Sequence, residues 1–513
     1  MHSERSSGIL LHPTSLPGPH GSGDFGAAAY HFVDWLVAAG QKMWQMLPLC
    51  PPGMASSPYM GLSAFAGSPL LIDLNELVSR GWLSQKELAS VPNFPKGKID
   101  FPAVTVFRMD TLRKASDTFF TQDDSASVHE YEKFCREQKN WLEDYALFMA
   151  LMKKYDNKEW STWDTDIVHR KPAALKSARK ELHTEIQFWE FVQWCFFRQW
   201  FALKKYANER GVKMFGDIPI FIAYQSADAW AQPHLFFLDT AMRPTVVAGV
   251  PPDYFSVTGQ RWGNPLYRWN VMEKEHYSWW IERIKTTLLL FDLVRIDHFR
   301  GFAAYWEIPA TEKTAEHGKW VHGPKDKLFA AIKKKLGKLP IIAEDLGLMT
   351  PDVYELRDKF EFPGMRILQF AFAGDSNNTF LPHNYEKNTV VYTGTHDNDT
   401  TLGWFTAATE REKAYAKKYI GADGKDIHKY LMRAASQSVA AMAVFPFQDV
   451  LGLGTEHRMN LPGTSTGNWQ WRFEWSQVEH GHAAWLYELS AVNGRCAADK
   501  VQLPPYPDGK QTP

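Results

Sequence analysis

Short apolar runs alternate along this chain with longer amphipathic stretches. Each run is four to six residues long, a length and composition that predict strands buried on both faces. A helix predicted over 27–39 carries Phe32, Trp35 and Leu36 on one stripe, with Gly40 placed to end it. Strands that alternate with helices predict an α/β fold, here a (β/α)8 (TIM) barrel. The eight predicted strands are 8–11, 42–47, 212–217, 293–297, 341–344, 365–368, 389–392 and 441–445.

Two segments interrupt this alternation. Residues 73–211 carry apolar positions at helical spacing, including helices predicted over 140–155 and 180–208. We interpret this segment as an inserted, mainly helical subdomain within a single catalytic domain that spans 1–513. Residues 240–270 are rich in Pro, Gly, Trp and Tyr, which predicts a long structured loop that covers the active site.

The composition argues against several classes of function. A net charge of −1 and a pI near 7.0 leave no excess of positive charge for nucleic acid or an anionic membrane. Four cysteines without CxxC spacing favour reduced thiols in a cytoplasmic protein over disulfides or metal ligation. Neither a signal-peptide core nor an apolar stretch of ~18–20 residues is present. An aromatic content of 14% suits either a large core or a groove that stacks on sugar rings.

One glycine motif imitates a nucleotide-binding site. Residues 21–26 satisfy GxGxxG and precede a predicted helix. The dinucleotide fingerprint also needs the first glycine directly after the strand and an acid about 20 residues later. Here the strand ends near Leu11, and no Asp or Glu lies between Trp35 and Ile72. These glycines therefore predict a turn or a loop of the active site. Because the HExxH, clustered Cys/His and Walker patterns are also missing, we expect no metal and no cofactor.

Three carboxylates that follow predicted strands carry the chemistry: Asp297, Glu344 and Asp397. Acids at the ends of buried strands are costly unless they have a function. Two carboxyl groups, one protonated and one anionic, are the minimum for cleaving a glycosidic bond with retention. Arg295 lies two residues before Asp297 and faces the same side of the strand, so its guanidinium favours the charged carboxylate. The same pattern would also fit a purely structural ion pair.

The neighbouring positions leave alternatives open. Glu344 and Asp345 are adjacent and face opposite sides of the strand, so the sequence pattern does not decide which enters the cleft. His396 beside Asp397 is consistent with sugar binding or with a simple hydrogen bond in a loop. Asp217, at the end of the third predicted strand, suits the site or a structural role. The aromatic loop favours a lid over a saccharide groove, formed by Asp253, Tyr254, Gln260 and Trp262.

Eight motifs resemble the amylomaltase (4-α-glucanotransferase) family in order and spacing, from about residue 8 to residue 472. They are HPTSLP at 12–17, SPY at 57–59, GDIPIF at 216–221, VPPDYF at 250–255, RIDHFRG at 295–301, AEDLG at 343–347, THDNDT at 395–400 and NLPGT at 460–464. The resemblance implies a barrel of the α-amylase clan with inserted subdomains and without a C-terminal β-domain. It implies Asp297 as nucleophile, Glu344 as general acid/base and Asp397 as transition-state stabiliser.

By the same resemblance, the remaining site residues bind substrate. Arg295, His396 and Asp217 would lie in the active site, Tyr59 would stack on a sugar, and Asp253, Gln260 and Trp262 would lie on the covering loop. The implied reaction moves a segment of an α-1,4-glucan to the 4-hydroxyl of glucose or another maltodextrin, without a cofactor. The alternatives are a retaining α-glucan hydrolase and a non-catalytic glucan-binding module. We expect a monomer or homodimer that binds neither nucleic acid nor membranes.

Overall fold

The computed structural model describes residues 5–122, 124–252 and 256–496. Within these ranges the chain forms two sheets, because its strands have two different sets of partners. The strands are β1 (Ser6–Leu10), β2 (Met43–Gln45), β3 (Lys213–Pro219), β4 (Val246–Val250), β5 (Gln260–Pro265), β6 (Leu293–Asp297), β7 (Ala304–Pro309), β8 (Lys319–His322), β9 (Ile341–Ala343), β10 (Gly364–Ile367), β11 (Thr389–Tyr392) and β12 (Met442–Pro446).

Eight parallel strands form the barrel, in the order β10-β11-β12-β1-β2-β3-β6-β9. The two end strands meet where the Ala343 N–H donates to the Pro363 carbonyl at 2.9 Å. All eight strands expected from the apolar runs are present, and the predicted α/β barrel is confirmed. Their residues are buried almost throughout because helices cover the outer face and side chains fill the interior.

The helices lie around the barrel and between β2 and β3. They are α1 (Ala27–Ala38), α2 (Leu74–Ser79), α3 (Gln85–Leu88), α4 (Phe101–Thr121), α5 (Ser125–Lys154), α6 (Thr165–Val168), α7 (Pro172–Glu181), α8 (His183–Glu209), α9 (Ala227–Ala231), α10 (Trp269–Lys274), α11 (Ser278–Leu290), α12 (Asp326–Leu336), α13 (Pro351–Lys359), α14 (Thr401–Ala407), α15 (Glu410–Ile420), α16 (Ile427–Gln437), α17 (Phe447–Val450) and α18 (His480–Val492). Within the described residues, none of these helices has the length and apolar character needed to cross a membrane.

The segment between β2 and β3 is helical from α2 to α8, as the spacing of its apolar residues indicates. Long α5 and α8 pack against each other through aromatic side chains, including Trp141 against Phe197 with ring centroids 5.7 Å apart. Trp82 lies fully buried among Phe119, Phe191 and Trp194. Much of the tryptophan content therefore fills the core.

Residues 240–270 contain more regular structure than a loop. β4 and β5 lie in a four-stranded antiparallel sheet of order β5-β4-β7-β8. The partners β7 and β8 follow about 50 residues later in the chain, so no local periodicity marks this sheet. The described residues after β12 form helices and turns, with no further strand.

Candidate active site

The acidic residues singled out from the sequence meet at one rim of the barrel. Asp217 lies in β3, Asp297 ends β6, and Glu344 directly follows β9. Asp397 lies in the turn after β11. Because all eight barrel strands are parallel, their carboxyl ends share one face, where barrel enzymes place their active sites.

Arg295 connects two of these acids from beneath the cleft. Its Nη1 donates to Asp217 Oδ2 and its Nη2 to Asp297 Oδ1, both at 2.7 Å. The guanidinium is buried, whereas the Asp297 side chain remains 33% exposed. Burial raises the pKa of the Asp217 carboxyl, although Arg295 opposes that rise. Arg295 is thus a buried cation that holds a partly exposed carboxylate in the open cleft.

Glu344 occupies a different environment at the same rim. Its Oε2 accepts from the His298 N–H at 2.8 Å and its Oε1 from the Leu346 N–H at 2.9 Å. The side chain is buried, and no cation forms an ion pair with it among the described residues. Burial first, and then the charge of Asp297, raise the pKa of Glu344 to about 8, against the opposing effects of Arg295 and the two N–H groups. Glu344 is therefore protonated at neutral pH.

Asp345 points away from the cleft, which resolves the ambiguity between the two adjacent acids. Its Oδ2 accepts from Arg357 Nη1 at 2.6 Å and lies 3.5 Å from Arg366 Nη1. Its Oδ1 accepts from the Met365 N–H at 2.7 Å. Asp345 thus joins β9 to β10 where the ring of strands closes.

Asp397 is held by residues from two parts of the chain. Asn460 Nδ2 donates to Asp397 Oδ1 at 2.7 Å, and His396 Nε2 lies 3.3 Å from the same oxygen. Arg458 Nη2 donates to the Asp397 backbone carbonyl at 2.6 Å. Desolvation opposes ionisation, but His396, the Asn460 hydrogen bond and Arg295 outweigh it and hold the pKa of Asp397 well below its usual range. Asp397 is therefore an anion at neutral pH.

Tyr59 connects Asp217 to His396 at the rim of the barrel, and its side chain is half-buried. Its hydroxyl donates to Asp217 Oδ2 at 2.8 Å. The ring stacks on His396 with centroids 5.1 Å apart and planes 19° from parallel, and Trp469 packs against it at 5.8 Å. Burial raises the pKa of Tyr59 well above its usual value, so this hydroxyl is a permanent donor.

Trp262 and Gln260 lie on β5 beside the cleft. The Trp262 Nε1 donates to Gln260 Oε1 at 3.1 Å. The Trp262 ring meets the His298 ring edge-on, with centroids 4.8 Å apart. Trp262 therefore packs on the residue whose N–H holds Glu344. The predicted lid residues Asp253 and Tyr254 lie outside the described residues.

Sequence reasoning did not single out Asn460, Arg458 or His298. Asn460 begins one of the quoted motifs, but nothing in that motif shows that its amide contacts Asp397. His298 follows Asp297 and has a positive φ of 54°, a conformation uncommon for a non-glycine residue, and its N–H donates to Glu344. Within the described residues, no three His, Cys, Asp or Glu side chains are arranged to hold a metal ion.

Comparison with known proteins identifies the family. A sequence model of the family described as 4-alpha-glucanotransferase matches residues 11–477. The 4-alpha-glucanotransferase of Thermus thermophilus is 49% identical over 506 residues, which cover 96% of this chain and 100% of the relative. The 4-alpha-glucanotransferase of Synechocystis sp. is 48% identical over 496 residues, which cover 95% of this chain and 98% of the relative.

Solved structures agree with the sequence relatives. The amylomaltase from Streptococcus agalactiae in complex with acarbose has a TM-score of 0.94 at 39% identity, covering 96% of this chain and 100% of that one. The amylomaltase from Corynebacterium glutamicum shares the fold at 18% identity, with a TM-score of 0.79 over 95% of this chain and 75% of that one. This chain is an enzyme that belongs to the 4-α-glucanotransferase family.

Proposed function

We propose that this enzyme disproportionates α-1,4-glucans by a retaining double displacement, with Asp297 as nucleophile and Glu344 as general acid/base. The contrast between the two carboxyl groups carries the assignment. Glu344 is buried with a raised pKa, and Asp297 is partly exposed and paired with Arg295. Retaining glycosidases need one carboxyl group that donates a proton and one that attacks as an anion.

In the first step, Asp297 attacks the anomeric carbon of a donor glucan and Glu344 protonates the departing glycosidic oxygen. The donor segment becomes a glycosyl ester of Asp297, and the reducing-side fragment leaves with the proton. In the second step, Glu344 takes the proton from the 4-hydroxyl of an acceptor, which displaces Asp297. Two inversions retain the configuration, and the number of glycosidic bonds is unchanged.

The remaining residues prepare the site for these steps. Asp397, held anionic by His396 and Asn460, faces the positive charge that develops on the sugar ring in the transition state. Arg295 fixes the orientation of Asp297 from below. Tyr59 and Asp217 form one hydrogen-bonded unit with Arg295, and the Tyr59 ring stacks on a sugar of the bound glucan. Trp262 forms an apolar wall that excludes loosely held water from the intermediate.

Incubation with maltotriose tests this proposal. We expect glucose together with a ladder of longer maltodextrins, while the total of reducing ends stays nearly constant. Chromatography of the products and a reducing-end assay on the same samples give both quantities. A reducing-end count that rises steadily would instead make the enzyme a hydrolase that uses the same carboxyl groups.

A further inference from the structure

A second cavity lies outside the catalytic cleft, between the inserted helices and the barrel. Its volume is about 190 Å³, the largest among the cavities described for this chain. An engineered protein cavity of about 150 Å³ holds a benzene molecule, so this one has room for a single sugar ring. None of the residues assigned above to the catalytic site lines it. Its walls come from the β2–α2 connection, α5, α9, the end of α10 and α11.

Aromatic rings form part of the wall. Phe65 stacks on Trp141, with centroids 6.3 Å apart and planes 11° from parallel. Trp279 meets Phe65 edge-on at 6.1 Å and is the more exposed of the two tryptophans. Apolar ring faces of this kind stack on the C–H faces of pyranose rings, as they pack against other flat apolar groups.

Polar groups surround these rings. Asp144, Asp228, Glu275 and Glu282 contribute carboxylates, and Asn140, Gln232, Ser63 and Ser278 contribute amides and hydroxyls. The buried Tyr145 borders the cavity, and its hydroxyl has no hydrogen-bond partner among the described residues. A buried hydroxyl without a partner is costly and indicates a missing polar neighbour.

The carboxylates already have cationic neighbours. Asp144 pairs with Arg170 at 2.7 Å, and Glu282 pairs with Lys285 at 3.1 Å. Glu275 lies 3.0 Å from His234 Nε2. The buried Asp228 accepts from the Ala64 N–H at 2.8 Å and interacts with the Arg283 charge. Because these charges are largely compensated, the cavity suits a neutral ligand with many hydroxyl groups better than a free cation.

We propose that this cavity is an accessory binding site for α-1,4-glucans, which holds one glucosyl unit of a chain against Trp279. The choice of an α-glucan as the ligand rests on the proposed function, whereas the presence of a binding site rests on the cavity and its lining residues. Ser63 and Phe65 also border a smaller cavity of about 60 Å³ that reaches Tyr59 and Asp217. Through this smaller cavity, the accessory site adjoins two residues of the catalytic site. A long glucan held at both places would gain affinity from the second contact.

Calorimetry with an inactive variant tests the site directly. Asp297→Asn, which blocks turnover, is titrated with maltotetraose, and we expect two binding sites per chain. Adding Ala231→Trp fills the cavity from α9 and should leave one site with unchanged affinity. Adding Trp279→Ala should weaken the second site roughly three- to tenfold, the factor for one aromatic contact. Phe201→Ala, a 42% exposed ring on α8 outside the cavity, is the matched control and should keep both sites.

The outcomes separate this inference from the catalytic proposal. A single site in Asp297→Asn, or two sites that persist in both cavity variants, overturns the accessory site. Binding of putrescine that Ala231→Trp abolishes, without a second site for maltotetraose, would make the cavity an amine site and overturn the ligand class. Maltotriose disproportionation by the parent enzyme is measured in parallel. A normal product ladder with one binding site contradicts only the accessory site.

Discussion

Glu344 and Asp345 are neighbours in the chain, and both carboxyl groups are buried at the end of β9, but they meet different surroundings. Burial raises the pKa of both. At Asp345, Arg366, the Met365 N–H and Arg357 oppose that rise. At Glu344, the charge of Asp297 adds to it. One acid therefore joins two strands of the barrel, and the other holds a proton at the cleft.

This difference shows that the two faces at the end of one barrel strand can give adjacent acids different properties. A carboxylate surrounded by guanidinium groups is stable and unreactive, because protonating it would break several contacts at once. A carboxyl group that has backbone donors and an acidic neighbour changes its protonation state near neutral pH. The contrast between the two acids follows from the partners of each side chain and not from its degree of burial, since Glu344 is 8% exposed and Asp345 is 4% exposed.

The largest expected effect follows from replacing Asp297, the proposed nucleophile. Asp297→Asn should lower kcat with maltotriose by about 10⁴-fold or more, because an amide cannot form the glycosyl ester. The fold should be preserved, because Asp217 still pairs with Arg295. Steady-state assays and the melting temperature measure the two effects. Activity within tenfold of the parent would remove Asp297 from this role.

Replacing Glu344, the proposed proton donor, should slow donors with different leaving groups to different extents. Glu344→Gln should slow the first step with maltotriose by about 10²–10⁴-fold, the range for a lost general acid. The loss should be far smaller with α-glucosyl fluoride, because fluoride leaves with little protonation. Rapid-quench measurement of the first turnover compares the two donors. Equal losses would show that Glu344 is not the acid.

Replacing Asp345, the acid adjacent to Glu344, should affect the stability of the fold and not the catalysed reaction. Asp345→Asn should lower the free energy of unfolding by about 2–4 kcal/mol, because it leaves a buried guanidinium without its anion. The loss stays in the lower part of the range for a broken buried pair, since Asp358 still contacts Arg357 at 2.8 Å. Urea unfolding and kcat of the folded enzyme measure both effects. A stable Asp345→Asn variant with kcat reduced 1,000-fold would reverse the assignment of the two acids.

The stability of Glu344→Gln should depend on pH. The folded state holds the Glu344 proton up to about pH 8, and the unfolded chain releases it near the ordinary value, so the parent loses stability as pH rises between them. Glutamine removes this cost, and the variant should be about 1–3 kcal/mol more stable at pH 9 and nearly equal at pH 4. Urea midpoints at pH 4, 7 and 9 provide the comparison. A difference that does not change with pH would contradict the raised pKa.

The smallest expected effect concerns Trp262, which is proposed to shield the covalent intermediate from water. Trp262→Ala removes the ring that packs on His298 and should admit solvent to the intermediate. We expect the ratio of transfer to hydrolysis to fall about three- to tenfold, the factor that corresponds to the free energy of one aromatic contact. Product ladders and reducing-end counts from maltotriose provide the ratio. Phe201→Ala on the surface of α8 is the control, and an unchanged ratio in Trp262→Ala would remove this wall from the mechanism.

The sequence by itself determined the barrel and the positions of its acids. Eight apolar runs predicted eight strands, because a strand that is buried on both faces has apolar side chains at consecutive positions. Because alternate residues of a strand face the same way, the sequence also placed Arg295 and Asp297 on the same side of β6. The 2.7 Å hydrogen bond between them agrees with that placement.

Only the tertiary structure decided which partners surround each acid. The choice between Glu344 and Asp345 depends on His298 and Arg357, which belong to other elements. Asn460 meets Asp397 across 63 residues of sequence, and the four-stranded sheet pairs β4 with β7 across a similar gap. Local periodicity reflects only whether a residue is buried. Which residues become the neighbours of a buried side chain depends on packing between distant segments. The pattern of residues within one segment therefore cannot predict those neighbours.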